Sequence, residues 1–237
     1  MLQFIPGEER GRRDFGWLKT HYSFSFGDYY HPGKMGFGAL RVLNEDLIAP
    51  STGFATHPHQ NMEIITVPLK GTLEHRDSMG HSAQLRAGEI QVMSAGTGIY
   101  HSERNPSGSE WLHLLQIWVI PDRQNVVPRY QQQTLPDYLP NAFFTFLGPP
   151  DGNTLFWIYQ QAWFSLARLT PFGGASYSLH QPDNGVYVFV VEGSVCWGNL
   201  TLKAGDALAL KEEAVLEVRE EKGSGARILL MEVPFRW

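Results

Sequence analysis

The chain has 237 residues, 43% hydrophobic and 13% aromatic, with a net charge of −5 and a pI near 6.0. That length allows one large domain or two modest ones, with ample apolar sequence for packed cores. The acidic balance offers nothing to a phosphate backbone, no run approaches the ~20 apolar residues that span a bilayer, and a single cysteine excludes an internal disulfide.

From the start of the chain, Met1 to Glu9 shows no cationic segment ahead of an apolar one, so no secretory leader is expected. Arg10, Arg12 and Arg13 read as a solvated loop. The protein is predicted to be soluble and cytoplasmic, with no nucleic-acid or membrane partner. Next comes His57-Pro58-His59, ahead of the β-branched run Glu63 to Val67, and later His101-Ser102-Glu103, after the turn-like Gly96-Thr97-Gly98. In a strand, residues i and i+2 point to one face, so each pair presents two metal-capable heads to one side. Two such strands facing each other would converge three imidazoles and one carboxylate. That set suits a first-row divalent metal with coordination positions left open.

Strand-like runs punctuated by glycines dominate the chain and predict an all-β protein of sandwich or barrel type. The stretch from Pro121 to Pro140, rich in Pro, Gln and Asp, reads as a connector, with at most one turn of helix over Thr134 to Leu139. On either side of it the chain repeats itself. Val67 to Leu73 resembles Phe189 to Val195, and Leu85 to Ile90 resembles Leu202 to Ala207, at offsets of 122 and 117 residues. Two copies of one β-domain are therefore expected: residues 1–125, a linker at 126–140, and residues 141–237. The second copy lacks the ligand pairs. His180 has no partner two residues away and is read as structural; Cys196, in an apolar run, is read as a buried, inert thiol.

These residues resemble the cupin motifs, and more narrowly the pirin family with its bacterial quercetinase members. Gly53, His57, His59, Glu63 and Gly71 follow the first motif, and Gly88, Gly96, His101 and Asn105 the second. Ser94-Ala95-Gly96 and the segment Gly98-Ile99-Tyr100-His101-Ser102-Glu103 follow the pirin variant, as do Gly36-Phe37-Gly38 and His75-x-Asp77-Ser78-x-Gly80. His81 stands where the pattern has Asn. The resemblance is dense over residues ~10 to 120.

It implies two jelly-roll (cupin-type) barrels and one divalent metal on His57, His59, His101 and Glu103. Iron is favoured among Fe, Cu, Mn, Co, Ni and Zn. It also implies a small aromatic substrate, a flavonol such as quercetin, opened by dioxygen. Glu103 is then expected to act as both ligand and base. Glu63 sits at an even offset from His59 and would share the histidines' face in an unbroken strand, so it is expected as an outer acceptor for a ligand imidazole and a reserve base. The competing readings are a metal-bearing regulatory module that docks a protein partner, and a different enzyme on the same scaffold.

Overall fold

The computed structural model describes residues 2–211 and 215–236. Among these, the N-terminal half contributes β1 (Leu2–Ile5), β2 (Gly11–Asp14), β3 (Leu18–Tyr22), β4 (Leu40–Ile48), β5 (Gly53–His59) and β6 (Glu63–Lys70). It continues with β7 (Thr72–Asp77), β8 (Ser82–Arg86), β9 (Glu89–Ser94), β10 (Ile99–Arg104), β11 (Leu112–Val119) and β12 (Arg129–Thr134). The C-terminal half contributes β13 (Phe143–Gly148), β14 (Phe156–Trp157), β15 (Trp163–Leu169), β16 (Gly174–Ser178) and β17 (Gly185–Trp197). It ends with β18 (Leu200–Lys203), β19 (Ala207–Lys211), β20 (Val215–Arg219) and β21 (Ala226–Val233). A single 3-10 turn at Gly7–Glu9 is the one helical element described, and no helix is long and apolar enough to cross a membrane.

Two barrels result. In the first, a seven-stranded sheet ordered β12-β9-β6-β11-β4-β3-β2 faces a four-stranded sheet ordered β5-β10-β7-β8. In the second, the path β1-β19-β17-β21-β15-β13-β14 faces a small sheet of β16, β18 and β20. The long strand β17 passes from one sheet to the other, with a register shift between Val190 and Glu192. Such a bulge lets a strand turn a barrel corner without losing its ladder.

The large sheets pack back to back, which explains the burial pattern along β6. All six positions from Glu63 to Pro68 are buried. Ile65 and Val67 enter a core shared with Phe146, Phe164, Tyr187 and Met231 of the other half. Ile64 and Thr66 face the interior of their own barrel. A strand covered on both faces loses the usual apolar–polar alternation. Each buried Ile or Leu in this seam contributes about 1.5–3 kcal/mol of transfer free energy, so the two barrels form one cooperative body.

Three expectations are corrected. The segment 126–140 is not an open connector: β12 pairs with β9 along all six of its residues, giving the edge of β9 its hydrogen-bond partners. Likewise β1 crosses to the second half and covers the edge of β19. Of these two strands only β1 crosses to the other half; β12 stays with the first barrel. No helix forms over Thr134 to Leu139; β12 ends at Thr134, and Pro136 and Pro140 remove donors beyond it. Cys196 is only partly buried, with Sγ 3.4 Å from Thr201 Oγ1, because on the corner-turning strand Val195 takes the inward position and Cys196 the outward one. The repeat is real in backbone terms as well. Gly88 and Gly205 open the same strand of each barrel at φ +91 and +87, a turn conformation that L side chains resist.

Candidate metal centre

Strands β5 and β10 pair antiparallel with His101 directly opposite His57 and Ile99 opposite His59. Alternation turns His57, His59 and His101 inward, as their spacing predicts. His101 Nε2 lies 3.0 Å from His57 Nε2, and the His59 ring centroid lies 4.8 Å from each of the other two. Donor atoms of the three residues all fall within 4.8 Å of one another. His57 Nδ1 lies 2.8 Å from the Ala55 carbonyl oxygen. A carbonyl only accepts, so Nδ1 donates to it and the Nε2 edge of the ring faces His101. Burial, reinforced by the neighbouring imidazoles, pushes His101 down to about 3 and His59 down to about 4. Both rings are therefore uncharged at neutral pH, the state in which imidazole binds a cation. Three converging imidazoles at this spacing fit a divalent transition metal.

Glu103 is almost fully buried on the same strand. Its Oε2 accepts from Gln116 Nε2 at 2.8 Å, while Oε1 has longer contacts to Thr66 Oγ1 (3.3 Å) and Gln91 Nε2 (3.4 Å). Its carboxylate groups with His101 and with His75, again within 4.8 Å, rather than with all three histidines of the first cluster. The fourth expected ligand thus approaches from the His101 side.

His75 is the residue whose place the sequence did not reveal. It is fully buried on β7, directly opposite Glu103. Its Nε2 lies 3.1 Å from Asp77 Oδ2, and its ring stacks on Tyr130 of β12 at 4.7 Å. His75 Nδ1 and His101 Nδ1 are both buried without a hydrogen-bond partner. The His75-x-Asp77 motif was visible, but only the β7–β10 pairing sets it beside the ligands. His81 bonds Asp77 at 2.9 Å and stacks on the other face of the same run of rings, against Tyr130.

Glu63 is not with the histidines. The strand is broken after His59: residues 60–62 turn the chain, with Asn61 at φ +49, and β6 starts in the other sheet. That break resets the alternation, so Glu63 faces the seam between barrels together with Ile65 and Val67. Its Oε2 accepts from Ser94 Oγ at 2.6 Å, and burial pushes its carboxyl up to about 7. Arg129, which lies over Trp157 of the second half at 3.6 Å, also reaches Ser94. Glu63 therefore belongs to an inter-barrel polar staple and holds no ligand imidazole.

Two openings flank the histidines. One, of about 380 Å³, is lined by His59, Thr97, Gly98 and Tyr100. The other, of about 250 Å³, lies behind Phe54, whose ring centroid is 6.4 Å from that of His57. Trp118 closes the far side of His59, edge-on at 4.8 Å. In the second barrel, His180 Nδ1 lies 3.1 Å from Glu232 Oε2, and the ring stacks flat on Trp163. Among the described residues no group of three metal-capable side chains occurs there.

Comparison with known proteins agrees with this geometry. The Pirin family model matches residues 6–119, and a quercetinase C-terminal cupin domain model matches residues 146–233. Quercetin 2,3-dioxygenase of Escherichia coli K12 is 39% identical over 236 residues, covering 99% of both chains. The chain belongs to the pirin family. The crystal structure of bacterial pirin YhhW from Escherichia coli in complex with nickel(II) superposes with a TM-score of 0.91 at 38% identity, over 99% of each chain. A quercetin 2,3-dioxygenase from Acinetobacter baumannii shares the fold at a TM-score of 0.80 and 22% identity, covering 99% of this chain and 80% of its own. As in other pirins, the chain carries two cupin domains, and its His/Glu cluster lies in the first.

Proposed function

We propose that this pirin is a metal-dependent dioxygenase that opens a flavonol such as quercetin. The observation that carries the reading is the convergence of three imidazoles with a buried carboxylate beside them, next to an aromatic-walled cavity. The full-length likeness to the Escherichia coli quercetin 2,3-dioxygenase supports it. His57, His59, His101 and Glu103 would hold one divalent metal, with iron favoured and nickel next, since a nickel complex is known for a relative. When bound, the metal supplies positive charge that stabilises the flavonol's 3-oxygen as an anion and a path for electrons to dioxygen.

The chain's own residues do the rest. The 3-hydroxyl must give up its proton before the ring can be oxidised, and Glu103 is the group that would accept it. Gln116 fixes Oε2 with a short bond, while Oε1, with long contacts only, is the oxygen free to take the proton. Glu63 is withdrawn from this role because it faces the inter-barrel seam. Trp118 and Phe54 wall the histidines and limit water at the reacting centre.

Oxygen uptake and carbon monoxide release with quercetin, normalised to bound metal, test the proposal. Uptake is expected with at least one of Fe, Ni, Cu, Mn or Co. If none of these metals supports uptake, the metal-bearing binding protein becomes the better reading.

A further inference from the structure

The 250 Å³ cavity behind Phe54 has a composition that its neighbours do not explain. Its walls are aromatic, among them Trp17, Phe26 and Phe54. Its floor is polar: Thr20 on β3, and Asn44 and Asp46 on β4, each no more than 4% exposed. Register sets Thr20 directly across from Asp46, and Asn44 two residues along the same face. A structural polar cluster would bond within itself. Here the Thr20 hydroxyl turns to the Asp46 carboxyl, but Asn44 Oδ1 and Asp46 Oδ1 are buried without a well-formed hydrogen bond. Leaving one such atom unsatisfied costs about 1–3 kcal/mol, so two acceptors on one cavity floor call for a partner from outside the fold.

The cavity also adjoins the metal centre. Phe54 separates it from His57, and Phe26 packs edge-on at 5.2 Å against Trp118, which in turn abuts His59. It is smaller than the roughly 300–1,000 Å³ of pockets that enclose a whole drug-sized ligand, so it takes part of a molecule rather than all of it. Aromatic walls admit a flat ring. A floor of two acceptor oxygens and a hydroxyl matches a ring that carries hydrogen-bond donors.

We infer that this cavity is a specificity subsite for the hydroxylated ring of the substrate remote from the metal, with Asp46 and Asn44 accepting hydrogen bonds from its phenolic hydroxyls and Thr20 completing the floor. The inference rests on the proposed flavonol-opening function and adds to it the part of the substrate that is recognised. A ring bearing adjacent hydroxyls fills the floor; an unsubstituted ring leaves the acceptors bare. A protein that only needed to fill the space would place Val, Leu and Leu at these positions.

Anaerobic titration of the metal-loaded protein separates binding from turnover. Quercetin and galangin share the 3-, 5- and 7-hydroxyls, but only quercetin has a dihydroxylated remote ring. Quenching of tryptophan fluorescence should show quercetin binding about 10–100-fold more tightly, the factor that two net hydrogen bonds supply. Asp46→Asn and Thr20→Val should each lower that ratio by about 3–10-fold while changing galangin affinity little. Both variants should keep the wild-type circular dichroism and a cooperative melt, which guards against loss of fold as the cause. A wild-type ratio near one, or a ratio unchanged in both variants, overturns the subsite. Oxygen uptake with a ratio near one would remove the subsite and leave the enzyme. Hydroxyl-dependent binding without oxygen uptake would support the subsite and remove the enzyme reading.

Discussion

The two barrels share a strand plan but not an interior, and one register row shows the difference. In the first barrel Gln116, Thr66 and Gln91 lie side by side across β11, β6 and β9. In the second, Leu230, Val188 and Leu208 lie side by side across the equivalent β21, β17 and β19. The polar row holds the Glu103 carboxylate, whereas the apolar row belongs to a continuous aliphatic core. The other members follow suit. His57, His59 and His101 converge in the first barrel. In the second, the lone His180 closes a loop with Glu232, which also accepts from Tyr177 Oη at 2.8 Å and Asn184 Nδ2 at 2.9 Å. The barrel is thus a scaffold indifferent to chemistry, and a site arises where inward positions trade transfer free energy for ligands and the groups that hold them.

The sharpest way to break this comparison is to remove metal binding from one barrel only. Replacing His57 and His101 together with Ala should abolish bound metal by elemental analysis, while His180→Ala should leave about one metal per chain. The reverse pattern would move the site to the second barrel. Next in size, Glu103→Gln keeps the side chain's volume but removes charge and basicity. If Glu103 takes the substrate proton, turnover per bound metal should fall by about 10²–10⁴-fold. Full activity would leave the enzyme without that base.

Making the first row resemble the second is a subtler change. Gln116→Leu deletes the short bond to Glu103 Oε2. Metal affinity, measured by competition with a chromogenic chelator, should drop by about 10–100-fold, with no loss in melting temperature of the metal-free protein. Unchanged affinity would show that the row is mere filling.

Acid stability tests the seam between the barrels. Burial alone would raise the Glu45 carboxyl, but hydrogen bonds from His113 and Arg10 outweigh it and hold Glu45 down at about 2. Arg10 also lies over Phe189 of the second barrel, 5.0 Å from the ring centroid. A carboxyl lowered on folding stabilises the native state above its unfolded pKa and loses that contribution as pH falls from about 4.5 toward 2. Chemical denaturation should therefore show Glu45→Gln costing about 1–3 kcal/mol near pH 6 and almost nothing near pH 2. A deficit independent of pH would mean that packing, not charge, is lost. The smallest effect is expected from chelation. Both barrels have apolar cores, so the metal-free protein should keep its β-sheet circular dichroism and melt cooperatively; an unfolded spectrum would make the metal structural.

What could be read from the sequence follows from how local each signal is. The i, i+2 spacing of His57 and His59, and of His101 and Glu103, sets both members of each pair on one strand face. The repeat around Gly88 and Gly205 marks the same turn twice, since both residues need a positive φ. Period two and backbone sterics act within a few residues, so the all-β class, the two copies and the inward histidines were all legible. Glu63 shows where that reasoning stops: an even offset counts faces only along an unbroken strand, and the turn at residues 60–62 moved it to the seam.

The rest was decided by pairing between strands far apart in the chain. Only the antiparallel alignment of β7 with β10 sets His75 against Glu103, and only that of β6, β9 and β11 builds the row of Thr66, Gln91 and Gln116. The crossing of β1 to the second barrel and the pairing of β12 with β9 cover sheet edges that no local pattern reveals. Sequence by itself determined which side chains share a face within an unbroken strand, because that depends on neighbours two residues away. Tertiary structure chose which inward side chains meet, because cross-strand register is set by the cooperative fit of two sheets and the shared core between them.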